Sequence, residues 1–111
     1  MPNNALVTEY PVHAVGPVQR VLAAIHDPVR LEVVRRLYNA GTPLQCGVLY
    51  DGINKSTATH HFKILREAGI TERMVIDGLT YQKLRLDEVE SALPGLLASV
   101  VGGANRDAAA S

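Results

Sequence analysis

Apolar and polar positions recur along this chain with two periods, and the switch between them divides it. Val18, Val21, Leu22 and Ile25 fall at i, i+3, i+4 and i+7, the spacing of one apolar stripe on a helix. Pro17 suits the first turn of that helix, where its missing N–H costs nothing. Asp27-Pro28 predicts an N-cap and first position for a second helix, which carries Leu31, Val33, Val34, Leu37 and Tyr38 and closes at Gly41. Thr42-Pro43 opens a third, short helical stretch over 44–50 that ends at Asp51-Gly52. Asn54 is the next N-cap, and a fourth helix is expected over 55–68, stopped by Gly69.

Beyond Gly69 the period falls to two. Residues 70–76 and 79–86 are β-prone runs around Asp77-Gly78, a pair suited to the positive φ that a type I′ turn demands twice. A two-residue loop sets the register: Ile76 faces Leu79, Met74 faces Tyr81 and Arg73 faces Gln82. Asp87 and Glu90 have the spacing of a capping box for a last helix. Its stripe is Val89, Ala92, Leu93, Leu96, Leu97, Val100 and Val101, and Pro94 within it predicts a kink or two short helices. Residues 1–16, with Pro2, Pro11 and Gly16, are expected to form an arm, 17–101 one domain, and 102–111 a frayed tail. The fold class is mostly α with a small β-hairpin. Its order, α-α-α-α-β-β-α, is that of a winged helix-turn-helix.

Composition agrees with one globular domain: 111 residues, 47% apolar, 20% charged. No run approaches the ~18 apolar residues of a membrane span, and the first residues lack the basic and apolar regions of a secretory signal. No membrane partner is therefore expected, and the expected compartment is the cytoplasm. The single cysteine, Cys46, leaves no intrachain disulfide and no multi-thiolate metal site within one chain. A Gly-rich phosphate loop, a nucleophile motif and paired carboxylates outside a cap are all missing, so neither catalysis nor a cofactor is expected.

The net charge of zero, from 11 Lys+Arg and 11 Asp+Glu, conceals an asymmetry. Residues 54–86 carry Lys55, Lys63, Arg66, Arg73, Lys83 and Arg85 against Glu67, Glu72 and Asp77, a surplus of three. Residues 87–111 carry the matching deficit. On the fourth helix, Ala58, Phe62, Ile64, Leu65 and Ala68 gather on one side with His61 among them, which predicts a packed or backbone-bonded imidazole. Ser56, Thr59, His60, Lys63 and Arg66 occupy the other side, with no acid before Glu67. Short hydroxyls and an imidazole reach base edges, lysines neutralise phosphates, and a helix N-terminus beside Lys55 favours an anion. The candidate DNA-binding residues are Lys55, Ser56, Thr57, Thr59, His60, Lys63 and Arg66, with Arg73 and Lys83 from the hairpin. The hairpin tip holds no arginine, so its base and not its tip is expected to touch the DNA backbone.

The run Asp27-Pro28-Val29-Arg30-Leu31 resembles the opening of the second helix in ArsR/SmtB-type repressors. Residues 55–70, KSTATHHFKILREAGI, are similar to that family's recognition helix. The resemblance spans about residues 17–101 and implies a homodimer on double-stranded, inverted-repeat operator DNA, associated with the nucleoid. It further implies dimerisation through the first and last helices. Their stripes, Val18, Val21, Leu22 and Ile25 with Leu93, Leu96, Leu97 and Val100, are the candidate interface, unless one of them is covered within the monomer. The family's third-helix thiolates would fall at Pro43 and Gln45, and residues 87–101 contain no histidine, so no metal is expected to be sensed. His13 and His26 lack neighbouring ligands in sequence. The inducer is then an unidentified small molecule, an oxidant acting at Cys46, or none. The competing readings are a winged-helix module that binds protein and not DNA, and a redox-responsive regulator working through Cys46.

Overall fold

A computed structural model describes residues 6–8, through their backbone, and 11–111. Of the expected arm, residues 1–5 and 9–10 lie outside the described residues. Helix α1 runs Val18–His26 and α2 Pro28–Ala40. The joint between them is Asp27, extended at φ −73° and ψ 134°, whose carboxylate accepts from Val29 N (2.8 Å) and Arg30 N (3.2 Å). Gly41, left-handed at φ 67°, ends α2 by donating to Leu37 O at 3.1 Å.

The recognition-type helix α3 spans Lys55–Glu67, followed by strands β3 (Thr71–Ile76) and β4 (Leu79–Leu84). Asp77 (φ 52°) and Gly78 (φ 80°) make the turn, and the pairs Arg73–Gln82, Met74–Tyr81 and Ile76–Leu79 stand in the expected register. Two outer strands extend this hairpin to an antiparallel sheet of order β1-β3-β4-β2, with β1 at Leu6–Thr8 and β2 at Leu44–Gln45. Helices α4 (Leu86–Ala92) and α5 (Leu96–Ala110) close the chain. The architecture is a winged helix-turn-helix.

One core joins all the helices. Val21 and Ala24 of α1, Val33, Val34 and Leu37 of α2, Leu65 of α3, Val89 of α4 and Leu97 and Val101 of α5 are essentially inaccessible, and Leu49 and Ile70 seal it from the connections.

Four expectations are corrected. The third helix does not form: Leu44 and Gln45 pair with Gln82 and Tyr81 of β4, and only a 3-10 turn, Cys46–Val48, follows. Pro43 and Gly47 make that stretch a poor helix, and ladder bonds from the distant hairpin capture it. The capping box does not form either. The last part of the chain turns helical at Leu86, ahead of Asp87, and Glu90 Oε1 instead accepts from Gly95 N (2.9 Å) across the break at Pro94. The tail is helical to Ala110, where Asn105 exchanges side-chain hydrogen bonds with Asn39 (2.9 and 3.1 Å) and docks α5 on α2. Lastly, the first and last stripes are split. Val21, Ile25 and Leu97 are buried within this chain, whereas Val18 and Leu22 are about half exposed and Leu93, Leu96 and Val100 half-buried. A stripe wider than one neighbour packs inward along its middle and leaves its edge outward.

The exit from α3 is tightly constrained. Gly69 is left-handed at φ 81° and hydrogen-bonds Arg66 O at 2.9 Å, while Ile70 N reaches Leu65 O at 3.1 Å. The stretch 11–16 runs across this joint, with Gly16 N on Ala68 O (3.1 Å) and Ala14 O only 2.5 Å from where a Gly69 Cβ would stand. Gly69→Ala therefore meets both left-handed strain and a backbone clash, and should lower stability by about 2 kcal/mol or more. Gly47→Ala, with open space around it, should leave the thermal midpoint near that of the parent. Thermal denaturation of the two variants checks this.

Candidate nucleic-acid interface

Asn54 starts α3 by accepting Thr57 N on Oδ1 at 2.8 Å from an extended backbone (ψ 166°). Ala58, Phe62 and Leu65 then turn into the core. That placement sorts the remaining positions into three rows by their helical spacing. Ser56, His60, Lys63 and Glu67 form the outward row, all exposed. Lys55, Thr59 and Arg66 lie on the flank toward the hairpin. Thr57 lies on the opposite flank with His61 and Ile64, exposed at the helix start.

Between α3 and the hairpin is a cleft of about 460 Å³. Lys55, Thr59 and Arg66 line one wall and Arg73 and Thr80 the other, over Cys46, Tyr50 and Phe62. Tyr50 and Phe62 meet edge to face, ring centres 6.1 Å apart, and hold the 3-10 turn against α3. Three cationic side chains around one concave site suit an anion; Arg66 and Arg73 are also engaged within the chain. Thr59 Oγ1 donates to Lys55 O at 2.9 Å, so its hydroxyl proton is committed and the oxygen is left as an acceptor.

Lys83 does not join this set. Arg73 stands opposite Gln82, so the period of the strand places Lys83 on the other face of the sheet, where it lines a shallow pocket with Tyr38, Thr42 and Leu86. Arg85 also leaves the surface count, because it is buried and donates to Gly69 O at 2.8 Å and to His13 O. The basic surplus at the candidate interface thus rests on Lys55, Lys63, Arg66 and Arg73. The hairpin tip, Asp77 to Leu79, is exposed and without a cation.

His61 is packed, as its position on the apolar edge predicts, but its partner is a side chain: Arg30 Nη1 donates to its Nδ1 at 2.9 Å. No pattern in the sequence announces that pair, whose members stand 31 residues apart. Cys46 is half-buried, and its sulfur accepts from Gln82 Nε2 at 3.8 Å. Among the described residues no three His, Cys, Asp or Glu side chains cluster as metal ligands, and no helix is long and apolar enough to cross a membrane.

The loop that launches α3 is tied back to α2. Arg36 donates to Val48 O (3.0 Å), to Asp51 (2.5 Å) and to Glu32 (2.7 Å), and Arg35 grips both oxygens of the same Glu32 at 2.8 Å. The Glu32 carboxyl is held down to about 2, first by the hydrogen bonds of Arg35, against partial burial, and then by Arg36. Asp27 is also lowered: burial opposes ionisation, and the backbone N–H groups of Arg30 and Val29 together with the charge of Arg30 outweigh it.

This arrangement, a short capped helix carried by a helical core and flanked by a hairpin, defines a DNA-binding helix-turn-helix protein. A family model described as a helix-turn-helix domain matches residues 25–73, from the end of α1 into β3. The chain is also 40% identical over 80 residues to a Bacillus subtilis (strain 168) protein named "Uncharacterized HTH-type transcriptional regulator YceK", covering 70% of this chain and 80% of that relative. The chain belongs to the helix-turn-helix transcriptional regulators.

The ion pairs of α2 carry a pH signature. The folded-state pKa of Glu32 lies below its unfolded value, so its contribution is complete above the ordinary carboxylate range and is lost as pH falls from about 4.5 toward about 2. Glu32→Gln should be less stable than the parent at neutral pH and converge with it in acid. Thermal midpoints across that range test this; parallel pH curves for the two proteins would refute it.

Proposed function

We propose that the protein is a repressor of the ArsR/SmtB type that binds an inverted-repeat operator as a homodimer, with α3 in the major groove. The observation that carries this is the outward row Ser56, His60 and Lys63, rigidly backed by the core and bordered by the cationic cleft. Thr59 and His60 read base edges in this reading, with Ser56 and Thr57 supporting them at the helix start. Lys55, Lys63, Arg66 and Arg73 neutralise phosphates, one strand of the backbone running along the cleft. The hairpin contributes through Arg73 near its base, and its acidic tip stays clear of the duplex.

The exposed Val18 and Leu22 of α1, with the half-buried Leu93, Leu96 and Val100 around the α4–α5 break, are the surfaces assigned to dimerisation. Val21, Ile25 and Leu97 support them from the core. Metal sensing is no part of this reading, since Pro43 and Gln45 stand at the family's thiolate positions and neither can ligate. An unidentified small molecule is the proposed inducer.

The test is titration of fluorescent duplex from the protein's own upstream region at several salt concentrations. Lys63→Ala should weaken binding to all sequences and reduce the salt slope by about one ion. Thr59→Ala or His60→Ala should instead narrow the gap between operator and unrelated DNA. Salt-independent or absent binding by the parent protein would overturn the reading. In sedimentation, the parent should be a dimer and Leu22→Glu with Leu96→Glu a folded monomer of weaker operator affinity; a monomeric parent would overturn the dimer.

A further inference from the structure

We propose that Arg30 is the positioning residue that sets the rotation of α3 for base reading, acting through His61. The inference rests on the proposed reading of α3 as the base-contacting helix. Arg30 sits in the first turn of α2, away from the outward row of α3. Its guanidinium spans three helices. Nε donates to Ala24 O at 2.7 Å and Nη2 to Ala23 O at 3.4 Å, two carbonyls in the last turns of α1, while Nη1 donates to His61 Nδ1 on α3 at 2.9 Å. Carbonyls near a helix C-terminus lack intrahelical partners and carry the negative end of its dipole, so a cation there is stabilised twice over.

The chemistry of the contact to His61 is unambiguous. A guanidinium offers donors only, so Nδ1 must accept and the imidazole proton must reside on Nε2. Asp27, whose Oδ1 lies 3.9 Å from the same Nδ1, does not share that proton; its carboxylate is occupied in capping Val29 N and Arg30 N. Asp27 thereby fixes the backbone from which Arg30 reaches, and the two charged residues of the Asp-Pro-Val-Arg run serve one device.

The consequence for recognition is geometric. Ala58, Phe62 and Leu65 hold α3 by apolar contact, which is non-directional and tolerates a small rotation about the helix axis. A hydrogen bond at 2.9 Å does not. His61 is largely shielded, with 13% of its side chain accessible, and is followed one turn later by Leu65 in the core. His60, its neighbour in the outward row, has its ring 6.0 Å away. Rotation that freed His61 would swing His60 and Lys63 sideways along the groove. Phosphate contacts from long lysines survive such a shift, and short base-reading side chains do not.

The experiment combines variants with a spectroscopic readout on the parent. Arg30→Met keeps the length of the side chain and removes every donor. It should lower operator affinity about tenfold while leaving affinity for unrelated DNA and the salt slope unchanged. His61→Ala should do the same, and the double variant should cost no more than either single one. His61→Asn places an acceptor oxygen where Nδ1 stands and should restore most of the discrimination. Equal loss on operator and unrelated DNA, or no rescue by His61→Asn, would overturn the proposal. Should Arg30→Met fail to fold, nitrogen NMR of the parent decides: an unprotonated Nδ1 with a protonated Nε2 on His61 is expected, and a protonated Nδ1 would overturn the link. If the parent protein shows no preference for its operator, the reading of α3 fails while the NMR result still reports on the Arg30–His61 bond.

Discussion

The left-handed turn at Gly69 is the constraint on which the rest of the molecule depends. It ends α3, reverses the chain into β3 and receives the crossing arm within a space that admits no Cβ. The carbonyl of Gly69 and that of His13 are both held by the buried guanidinium of Arg85, and the backbone N–H of the same residue donates to Ile70 O at 2.8 Å. Arm, helix exit and the far end of the hairpin therefore converge on one point. At the other end of α3, Asn54 caps the helix and the Arg36–Asp51 pair moors the loop before it. A helix fixed at both ends and backed by the core presents its free face as a rigid unit, which base recognition requires.

Arginine and lysine divide the labour along this chain. Arg30, Arg35, Arg36 and Arg85 each hold two or more partners inside the fold, a use for which a planar fork of donors is suited. Lys55 and Lys63, compact point charges on flexible stems, stand exposed on the candidate interface. Counting charge by sequence segment treats all of these alike and so assigns Arg85 and Lys83 to the basic surface, although the first is internal and the second lies on the opposite face of the sheet.

What could be read from the sequence was what local geometry decides. Asp27-Pro28, Asn54 and Asp77-Gly78 each impose a backbone conformation on their immediate neighbours, and the caps and the hairpin register follow directly. The stretch 44–50 was illegible because its conformation is decided by Gln82 and Tyr81, more than thirty residues away, through ladder bonds that local propensity does not report. Glu90 kept its polar role but found Gly95, since Arg85 already occupied the position before the helix. The Ala-rich end became helical because Asn39 and Arg35 supply it a docking face. Periodicity located the stripes of α1 and α5 without saying which of their positions the monomer would consume; Val21 and Leu22, adjacent in sequence, went opposite ways. For the interface, the polar face of α3 was visible residue by residue, whereas the Arg30–His61 link was not, as hydrogen-bond partners across helices leave no spacing rule.

The neutral total charge acquires a definite meaning in this setting. A DNA-binding protein with a large basic excess gains most of its affinity from counterion release, which is indifferent to sequence and tolerant of small displacements. Here four cationic side chains remain at the candidate interface, two of them also engaged within the chain. In the proposed reading of α3, with the sequence-independent term modest, discrimination falls to a few short side chains whose contacts vanish with shifts of about an ångström. Such a reading requires directional polar interactions that hold α3, and the chain supplies them in the Asn54 cap, the Arg36 mooring, the Arg30 bridge and the Arg85 clamp.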